Sequence, residues 1–250
     1  DGDEILVQAE EFPALILPLQ RLAKKYNCKI VTVERPPDYD WTDSYLKNIN
    51  SKTKIAAFGL SHWTDGTILN GEEVSRKAKS VGAYVIIDAC QSLGGMPVDI
   101  NSLQPDFFVA PTYKWLLGPY SFGFLFVADK WCNGEPLEEY WASRNGADNF
   151  ATLTYYNDQY QTGASRFDMS ERSQFINLPI AQSALEQIID WSPKRIASYI
   201  EPFCDEIASE AQKRGYVVAP KKARSPHFLG IKNPKGFSDS FKKKLEDSKV

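Results

Sequence analysis

The most informative part of the sequence is Val85-Ile86-Ile87-Asp88-Ala89-Cys90-Gln91-Ser92, followed by Pro105-Asp106-Phe107-Phe108-Val109-Ala110-Pro111-Thr112-Tyr113-Lys114-Trp115-Leu116-Leu117-Gly118-Pro119. Each part contains a short apolar run, which is typical of a strand buried on both faces. Asp88 ends the first run, and Lys114 follows the second. If the two strands are parallel, a carboxylate and an amine meet at the same edge of the sheet. Taken singly, Asp88 could be a turn cap and Lys114 a surface lysine, because polar residues are common at strand ends.

On both sides of this centre, short apolar runs alternate with segments of helical periodicity. Strands are predicted at Ile5–Val7, Lys29–Val33, Ile55–Phe58, Tyr84–Ile87, Phe107–Val109 and Phe122–Val127, and helices at Leu15–Ala23 and Glu72–Val81. These strands lack the apolar and polar alternation of a sheet that has one face in water. We therefore predict an α/β fold, a mostly parallel sheet sandwiched by helices.

The carboxy-terminal half has a different pattern. A long aromatic and polar loop is predicted first, then two helices separated by Pro193, two strands, a last helix and the start of a strand: Trp131–Gln161, Ile180–Ile189, Ile196–Ala211, Tyr216–Val218, His227–Ile231, Phe237–Leu245 and Ser248–Val250. We predict a large domain over residues 1–190 and a partial α+β small domain over residues 191–250.

Composition restricts the possible functions. The 250 residues include 29 Lys and Arg against 32 Asp and Glu, a net charge of −3, which gives no general attraction to nucleic acid or to an anionic membrane. No apolar run approaches the roughly 18 to 20 residues of a membrane span. The four cysteines and two histidines are scattered, so neither a disulfide framework nor a zinc cluster is indicated. We expect a reducing compartment, the cytoplasm.

Nucleotide-binding motifs are absent from the sequence. It contains neither a P-loop nor a Gly-x-Gly-x-x-Gly turn after a strand. A nucleotide-binding α/β domain stays open as an alternative, but it would need a phosphate loop upstream of this chain.

Three motifs together resemble one enzyme family. They are Asp-x-x-Gln-Ser from Asp88 to Ser92, Pro105-Asp106-Phe107, and the aromatic-Lys-Trp-Leu-x-Gly-Pro run from Tyr113 to Pro119. This pattern is similar to the class V aminotransferases, a family of fold type I enzymes dependent on pyridoxal 5'-phosphate (PLP). The family includes aminotransferases, cysteine desulfurases, kynureninases and isopenicillin N epimerase-like proteins. Residues 2–7 and 166–168 also resemble parts of the family pattern.

The resemblance implies a cofactor and the roles of three residues. PLP needs a lysine for its Schiff base, and Lys114 matches that lysine, which later serves as the base at the substrate Cα. PLP also needs a carboxylate against its pyridine nitrogen, and Asp88 matches it. Gln91 resembles the residue that hydrogen-bonds the phenolic oxygen of the cofactor.

Four further residues are implied as cofactor contacts. Thr112 and Tyr113 lie where the family places phosphate donors. Tyr113 replaces the histidine of several relatives, as in kynureninases, which disfavours a standard desulfurase. Thr64 or Asp65 would have to approach the phenolic oxygen from above, and the sequence does not decide between them.

The family default is transamination of an amino acid, and we take it as the first prediction. A C–S lyase or cysteine desulfurase, or an epimerase, is the enzymatic alternative, and a fold-retaining pseudoenzyme partner is the non-enzymatic one. The resemblance also implies a homodimer. Relatives carry a phosphate loop and a ring-stacking aromatic or histidine upstream, and a carboxylate-binding arginine downstream. We expect all three to lie outside this chain, so that the large domain lacks its beginning and the small domain its end.

Overall fold

The computed structural model describes residues 2–248, which form a six-stranded sheet with helices on both faces. The strands are β1 (Glu4–Gln8), β2 (Lys29–Val33), β3 (Thr53–Gly59), β4 (Tyr84–Asp88), β5 (Phe107–Pro111) and β6 (Gly123–Val127). The helices are α1 (Pro13–Tyr26), α2 (Trp41–Asn48), α3 (Gly71–Ser80), α4 (Ile100–Leu103), α5 (Asn177–Trp191), α6 (Pro193–Lys213) and α7 (Asp239–Asp247).

The sheet is mostly parallel, as the apolar runs predict. Its strand order is β2-β1-β3-β4-β5-β6, in which β6 pairs antiparallel with β5 and every other neighbouring pair is parallel. The carboxyl ends of β1, β3, β4 and β5 therefore lie at one edge. In open parallel sheets this edge is where ligands bind.

Two apolar layers explain why the strands show no alternation. Successive residues of β1 point to opposite faces, so Leu6 joins the core layer under α2 and α3, whereas Ile5 and Val7 join the layer under α1. Ala56 and Ala57 of β3 divide in the same way. Helices cover both faces of the central strands β1 and β3, so both faces of these strands favour apolar side chains.

Helix α2 was not predicted from the sequence. It begins after Asp40, whose side chain accepts the Asp43 amide at 3.0 Å as an N-terminal cap. Its buried face consists of Trp41 and Tyr45, both fully enclosed. Their polar atoms are satisfied, since the Tyr45 hydroxyl donates to the Ala57 carbonyl at 2.9 Å. Eight residues give too short a periodic pattern to recognise.

The carboxy-terminal helices match the predicted pattern, and the predicted strands there do not. The break at Pro193 separates α5 from α6, with Ser192 in a left-handed conformation at φ 64°. The strands predicted at Tyr216–Val218 and His227–Ile231 are wrong, because this region contains only two isolated bridges among the described residues, Val217 with Lys232 and Arg224 with Thr67. The strand expected at the end falls on residues 249 and 250, outside the described residues.

Pairing with another loop explains why no strand forms at His227–Ile231. The backbone of residues 223–230 hydrogen-bonds to the loop after β3: Ile68 donates to Ala223 at 2.9 Å and Gly230 to Asp65 at 2.9 Å. These backbone groups are satisfied without a ladder. A small apolar cluster of Ala208, Ala211 and Val218 forms beside them. The division at residue 190 stays a prediction.

The segment after β6 is irregular, as predicted for Trp131–Gln161, with short 3-10 turns. Among the described helices, none combines the length and the apolar character that a membrane crossing requires.

Candidate active site

A large cavity of about 1110 Å³ opens at the carboxyl edge of the sheet. It is lined by residues that follow four parallel strands, together with residues from the 164–178 segment. The lining includes Glu11 and Phe12 after β1, Ser61 after β3, Asp88 and Gln91 at and just after the end of β4, and Lys114 after β5.

Asp88 is fixed at the end of a central strand. It pairs in register with Gly59 on one side and Val109 on the other. One carboxylate oxygen, Oδ1, accepts the Cys90 amide at 2.8 Å, and the Cys90 thiol also hydrogen-bonds to the Asp88 side chain. The carboxylate is thus held in place at the wall of the cavity.

Lys114 lies on a closed loop, residues 112–122, which we call the Lys114 loop. Its ends are joined by the Thr112 amide, which donates to Phe122 O at 3.0 Å, and by the Gly118 amide, which donates to Thr112 O at 2.8 Å. Gly118 is required here, because a Cβ would lie 2.6 Å from Thr112 Cβ. Within residues 2–248 no salt bridge involves Lys114.

Thr112 and Tyr113 have different positions relative to the cavity. Tyr113 lines it and stacks on Tyr120 with a centroid distance of 4.2 Å. Thr112 is buried and is not among the lining residues, because its hydroxyl donates to Pro119 O at 2.6 Å inside the loop. The geometry therefore makes Thr112 a support for Lys114 rather than a side chain offered to a phosphate.

Gln91 is held from two sides. Its side-chain oxygen accepts the Trp115 indole N–H at 3.0 Å, and its carbonyl accepts His227 Nε2 at 2.7 Å. Burial lowers the pKa of His227, so the ring is neutral and its one N–H makes this contact. The approach is close, since a Cβ on Gly95 would lie 2.5 Å from the His227 ring. The amide nitrogen of Gln91 remains as a donor for a ligand.

The structure does not bring Thr64 and Asp65 to the cavity. Both side chains bind Arg35: Asp65 forms an ion pair with it, and Thr64 Oγ1 accepts from it at 2.9 Å. Asp65 also accepts the Thr67 amide at 3.0 Å, and Glu10 completes the cluster around the guanidinium at 2.7 Å. The contacts with Arg35 hold these side chains away from the cavity, and no local pattern predicts contacts between residues so far apart in the chain. From this loop, Trp63 reaches the cavity instead.

Several lining residues were missed by the sequence analysis. Phe12 presents an aromatic ring 5.7 Å from Lys114 Nζ, although we expected such a ring only upstream of this chain. Ser61 has a buried hydroxyl oxygen with no hydrogen-bond partner. Phe12 and Ser61 could have been predicted in the same way as Asp88, because β1 and β3 also end at the edge of the sheet where ligands bind.

The electrostatics of the cavity are set by burial. Burial raises the pKa of Glu11 to about 7, and it raises the pKa of the Cys90 thiol to about 12, assisted by the charge of Asp88. Cys90 is therefore a protonated thiol at neutral pH. Neither described histidine lines the cavity, because His62 is enclosed against Trp41 with its Nε2 3.0 Å from Ala9 O. Acid and base chemistry here falls to lysine, carboxyl and tyrosine side chains.

Comparison with known proteins gives a family match. The model of the family described as aminotransferase class-V matches residues 1–168. A cysteine desulfurase of Synechococcus elongatus is 30% identical over 170 residues, which is 67% of this chain and 26% of that protein. A probable cysteine desulfurase of Mycobacterium leprae is 28% identical over 75% of this chain and 44% of its own length.

Solved structures agree on the fold. The cysteine desulfurase CsdA of Escherichia coli superposes with a TM-score of 0.81 at 19% identity, covering 99% of this chain and 60% of that chain. The cystine C-S lyase C-DES superposes with a TM-score of 0.77 at 21% identity, covering 100% and 67%. The chain therefore spans less than half of the length of these two sequence relatives, and about two thirds of these structures.

Proposed function

From the premise that this chain belongs to the class V aminotransferase family, we propose that it forms the PLP-binding core of an enzyme acting on the C–S bond of cysteine or a close relative. The sequence prediction of the family is confirmed, as is that of a mostly parallel sheet flanked by helices. The observation that carries the proposal is the convergence of Asp88, Gln91 and Lys114 on one cavity.

The residues present fit PLP by their chemistry. A carboxylate, a primary amine, an amide donor and an aromatic ring line the same space, and the unpartnered hydroxyl of Ser61 adds a second donor. When bound, the cofactor supplies an electron sink for the electron pair released at the substrate Cα. The protein supplies binding, orientation and proton transfer.

Each side chain has a role that its position supports. Lys114 would hold the cofactor covalently through Nζ, and once the substrate amine has replaced it there, the freed Nζ would take the proton from the substrate Cα. Asp88 would hold the proton on the ring nitrogen of the cofactor. Gln91 and Ser61 would supply hydrogen-bond donors to the oxygens of the cofactor, and the ring of Phe12 would exclude water from its surface.

The reaction class departs from our first prediction. Transamination was the first choice, and the comparisons favour the alternative of a cysteine desulfurase or C–S lyase, because the relatives reported above have those names. Transamination stays a second candidate, since an uncharacterized aminotransferase of Bacillus subtilis is 23% identical over 71% of this chain. Cys90 is not the acceptor of the sulfur, because its raised pKa keeps the thiol protonated.

We also propose a homodimer in a reducing compartment, the cytoplasm. Support for the dimer comes from large aromatic side chains left exposed near the cavity mouth and in the loop after β6, at Tyr120, Phe150, Tyr155, Tyr156 and Phe175. Support for the compartment comes from the four free cysteines. Light scattering of the purified protein tests the dimer.

Product analysis tests the reaction class. The purified protein is loaded with PLP and incubated separately with cysteine, alanine and kynurenine. Sulfide from cysteine supports C–S chemistry, while pyruvate from alanine with a keto-acid acceptor supports transamination in its place. Anthranilate from kynurenine would contradict both. Binding of PLP without any product would favour the pseudoenzyme, and absence of PLP binding would overturn the cofactor itself.

A further inference from the structure

Two carboxyl groups share the inner wall of the cavity. Glu11 follows β1 and Asp88 ends β4, and both are lining residues. Glu11 Oε1 accepts the Phe12 amide at 2.7 Å, whereas Oε2 is buried and has no hydrogen-bond partner. Burying an anionic oxygen without a hydrogen-bond donor costs a large desolvation free energy, whereas burying a protonated carboxyl oxygen costs much less. The geometry therefore places a proton on Glu11 Oε2.

The electrostatic balance agrees with this geometry. Burial is the largest cause of the raised pKa of Glu11, which reaches about 7. The Phe12 amide opposes that rise, the negative charge of Asp88 adds to it, and the Gly59 amide again opposes it. The charge of Asp88 therefore adds to the cost of ionising Glu11 in this desolvated site.

Two other titratable groups near Glu11 have pKa values raised far above neutrality. Tyr45 of α2 is buried, which raises its pKa well above 10. Cys90 has a pKa raised to about 12, mainly by burial. The charged side chains that line the cavity besides Glu11 are Lys114, Asp88 and the Asp168–Arg172 ion pair. Glu11 is thus the group of this cavity whose shifted pKa falls in the neutral range.

We propose that Glu11 is a positioning residue for Asp88, which holds one proton of the carboxyl pair in the cofactor-free cavity and releases it to solvent when a cationic ring nitrogen binds Asp88. The inference rests on the proposed function. In this proton transfer, one O–H bond of Glu11 breaks and the proton goes to water. The carboxylate left behind faces a cavity that has gained a positive charge. Cofactor binding is therefore coupled to loss of one proton near neutral pH.

The coupling has a defined sign. A positive charge beside Asp88 cancels the repulsion that this residue exerts on Glu11, so the pKa of Glu11 falls on binding. Affinity for the cofactor then increases as the pH rises through neutrality, by about tenfold for each unit by which that pKa falls. Glu11→Gln keeps the shape of the side chain and its contact to Phe12 but cannot ionise. In this variant, the increase of cofactor affinity with pH that Glu11 causes should be absent.

Calorimetric titration with PLP at pH 6.5 tests the proposal, using two buffers that differ in their heat of ionisation. The wild type is expected to release more protons than Glu11→Gln, by up to about one per bound cofactor. The control is Glu10→Gln, because this neighbour pairs with Arg35 outside the cavity and its loss should leave proton release unchanged. Equal release by wild type and Glu11→Gln overturns the inference alone.

Two further results separate this inference from the proposed function. If wild type binds no PLP, the proposed function falls and the coupling falls with it. If Glu11→Gln fails to fold, infrared titration of the cofactor-free wild type replaces it. A protonated carboxylic acid should then titrate near pH 7, with its midpoint lowered in Asp88→Asn. A titration at the ordinary value of about 4.5 overturns the inference.

Discussion

The Lys114 loop (residues 112–122) and the loop after β3 (residues 62–67, the Thr64 loop) both follow strands at the same edge of the sheet, yet they use polar side chains differently. In the first, Lys114 has no salt bridge within the described chain and faces the cavity with Asp88. In the second, Thr64 and Asp65 are bound to Arg35. A strand-end position brings a side chain to the edge, and the charges around it decide whether that side chain remains available to a ligand.

The difference extends to stability. Atoms of the Thr64 loop are satisfied by hydrogen bonds and an ion pair, so they contribute to folding. The cavity instead contains Glu11 Oε2 and Ser61 Oγ, which are buried without partners and cost stability. Sites that bind ligands commonly keep such unsatisfied groups.

The largest effect is expected from Lys114→Ala. Removing the amine removes both the covalent attachment of PLP and the base at the substrate Cα, so we expect activity to fall by about 10³-fold or more. Absorption spectra should lose the band of lysine-bound cofactor. Lys47→Ala is the matched control, because Lys47 is an exposed lysine paired with Asp43. A band that survives in Lys114→Ala would show that another residue binds the cofactor.

The pH dependence of folding comes next in size. The pKa of Glu11 is raised from 4.5 to about 7 in the folded chain. Its stabilising contribution is full below pH 4.5 and is lost as the pH rises to 7, an effect of about 3 kcal/mol. Denaturant unfolding of the cofactor-free protein at pH 5.5 and 8 should show the part of this loss that falls above pH 5.5, about 2 kcal/mol, in the wild type. Glu11→Gln should lose less unfolding free energy over the same pH range, because the contribution of Glu11 is missing. Identical pH profiles of the two proteins would contradict this prediction.

A pair of isosteric substitutions tests the comparison itself. Asp88→Asn removes the charge opposite the ring nitrogen, and we expect turnover to fall by about 100-fold, a typical loss for one electrostatic group in an active site. Asp65→Asn should leave turnover within about twofold and lower only stability, because Asp65 binds Arg35 outside the cavity. If Asp65→Asn lost turnover as strongly as Asp88→Asn, the distinction between the two loops would fail.

The smallest effect is expected from Arg35→Gln. This substitution leaves Asp65 and Glu10 without their cation, and it should cost about 2 kcal/mol of stability, the scale of a charge-assisted hydrogen bond in a half-buried site. Affinity for PLP, measured by absorption, should stay within about twofold. A large loss of affinity would indicate that Asp65 enters the site after all.

Whether a strand or helix could be predicted from the sequence depended on the length and kind of its apolar pattern. The strands of the sheet were recognisable because burial on both faces leaves continuous apolar runs. Helix α2 was too short to show periodicity. A strand did not form at His227–Ile231, because the Ser225 and Gly230 amides donate to the Thr64 loop, and at Tyr216–Val218 only one bridge formed, between Val217 and Lys232. Local propensity is a weak guide where tertiary contacts satisfy the backbone.

The residues of the site were likewise predictable only in part. Asp88, Gln91 and Lys114 could be named from their spacing after apolar runs, and the structure brings all three to one cavity. Glu11 and Phe12 were overlooked, although they follow β1 at the same edge. Thr112 had the expected position in the chain, but its hydroxyl closes the Lys114 loop.

The sequence by itself determined the six strands of the sheet, two of the helices between them, the family, and the carboxylate, amide and lysine of the site, because these are carried by local patterns and motifs. The tertiary structure alone decided that Arg35 draws Asp65 out of the cavity, and that Glu11 lies beside Asp88 with an unpartnered oxygen. The reason is physical. Whether a polar group is available, and whether it is charged, depends on burial and on partners far away in the chain, and these exist only once the chain is folded.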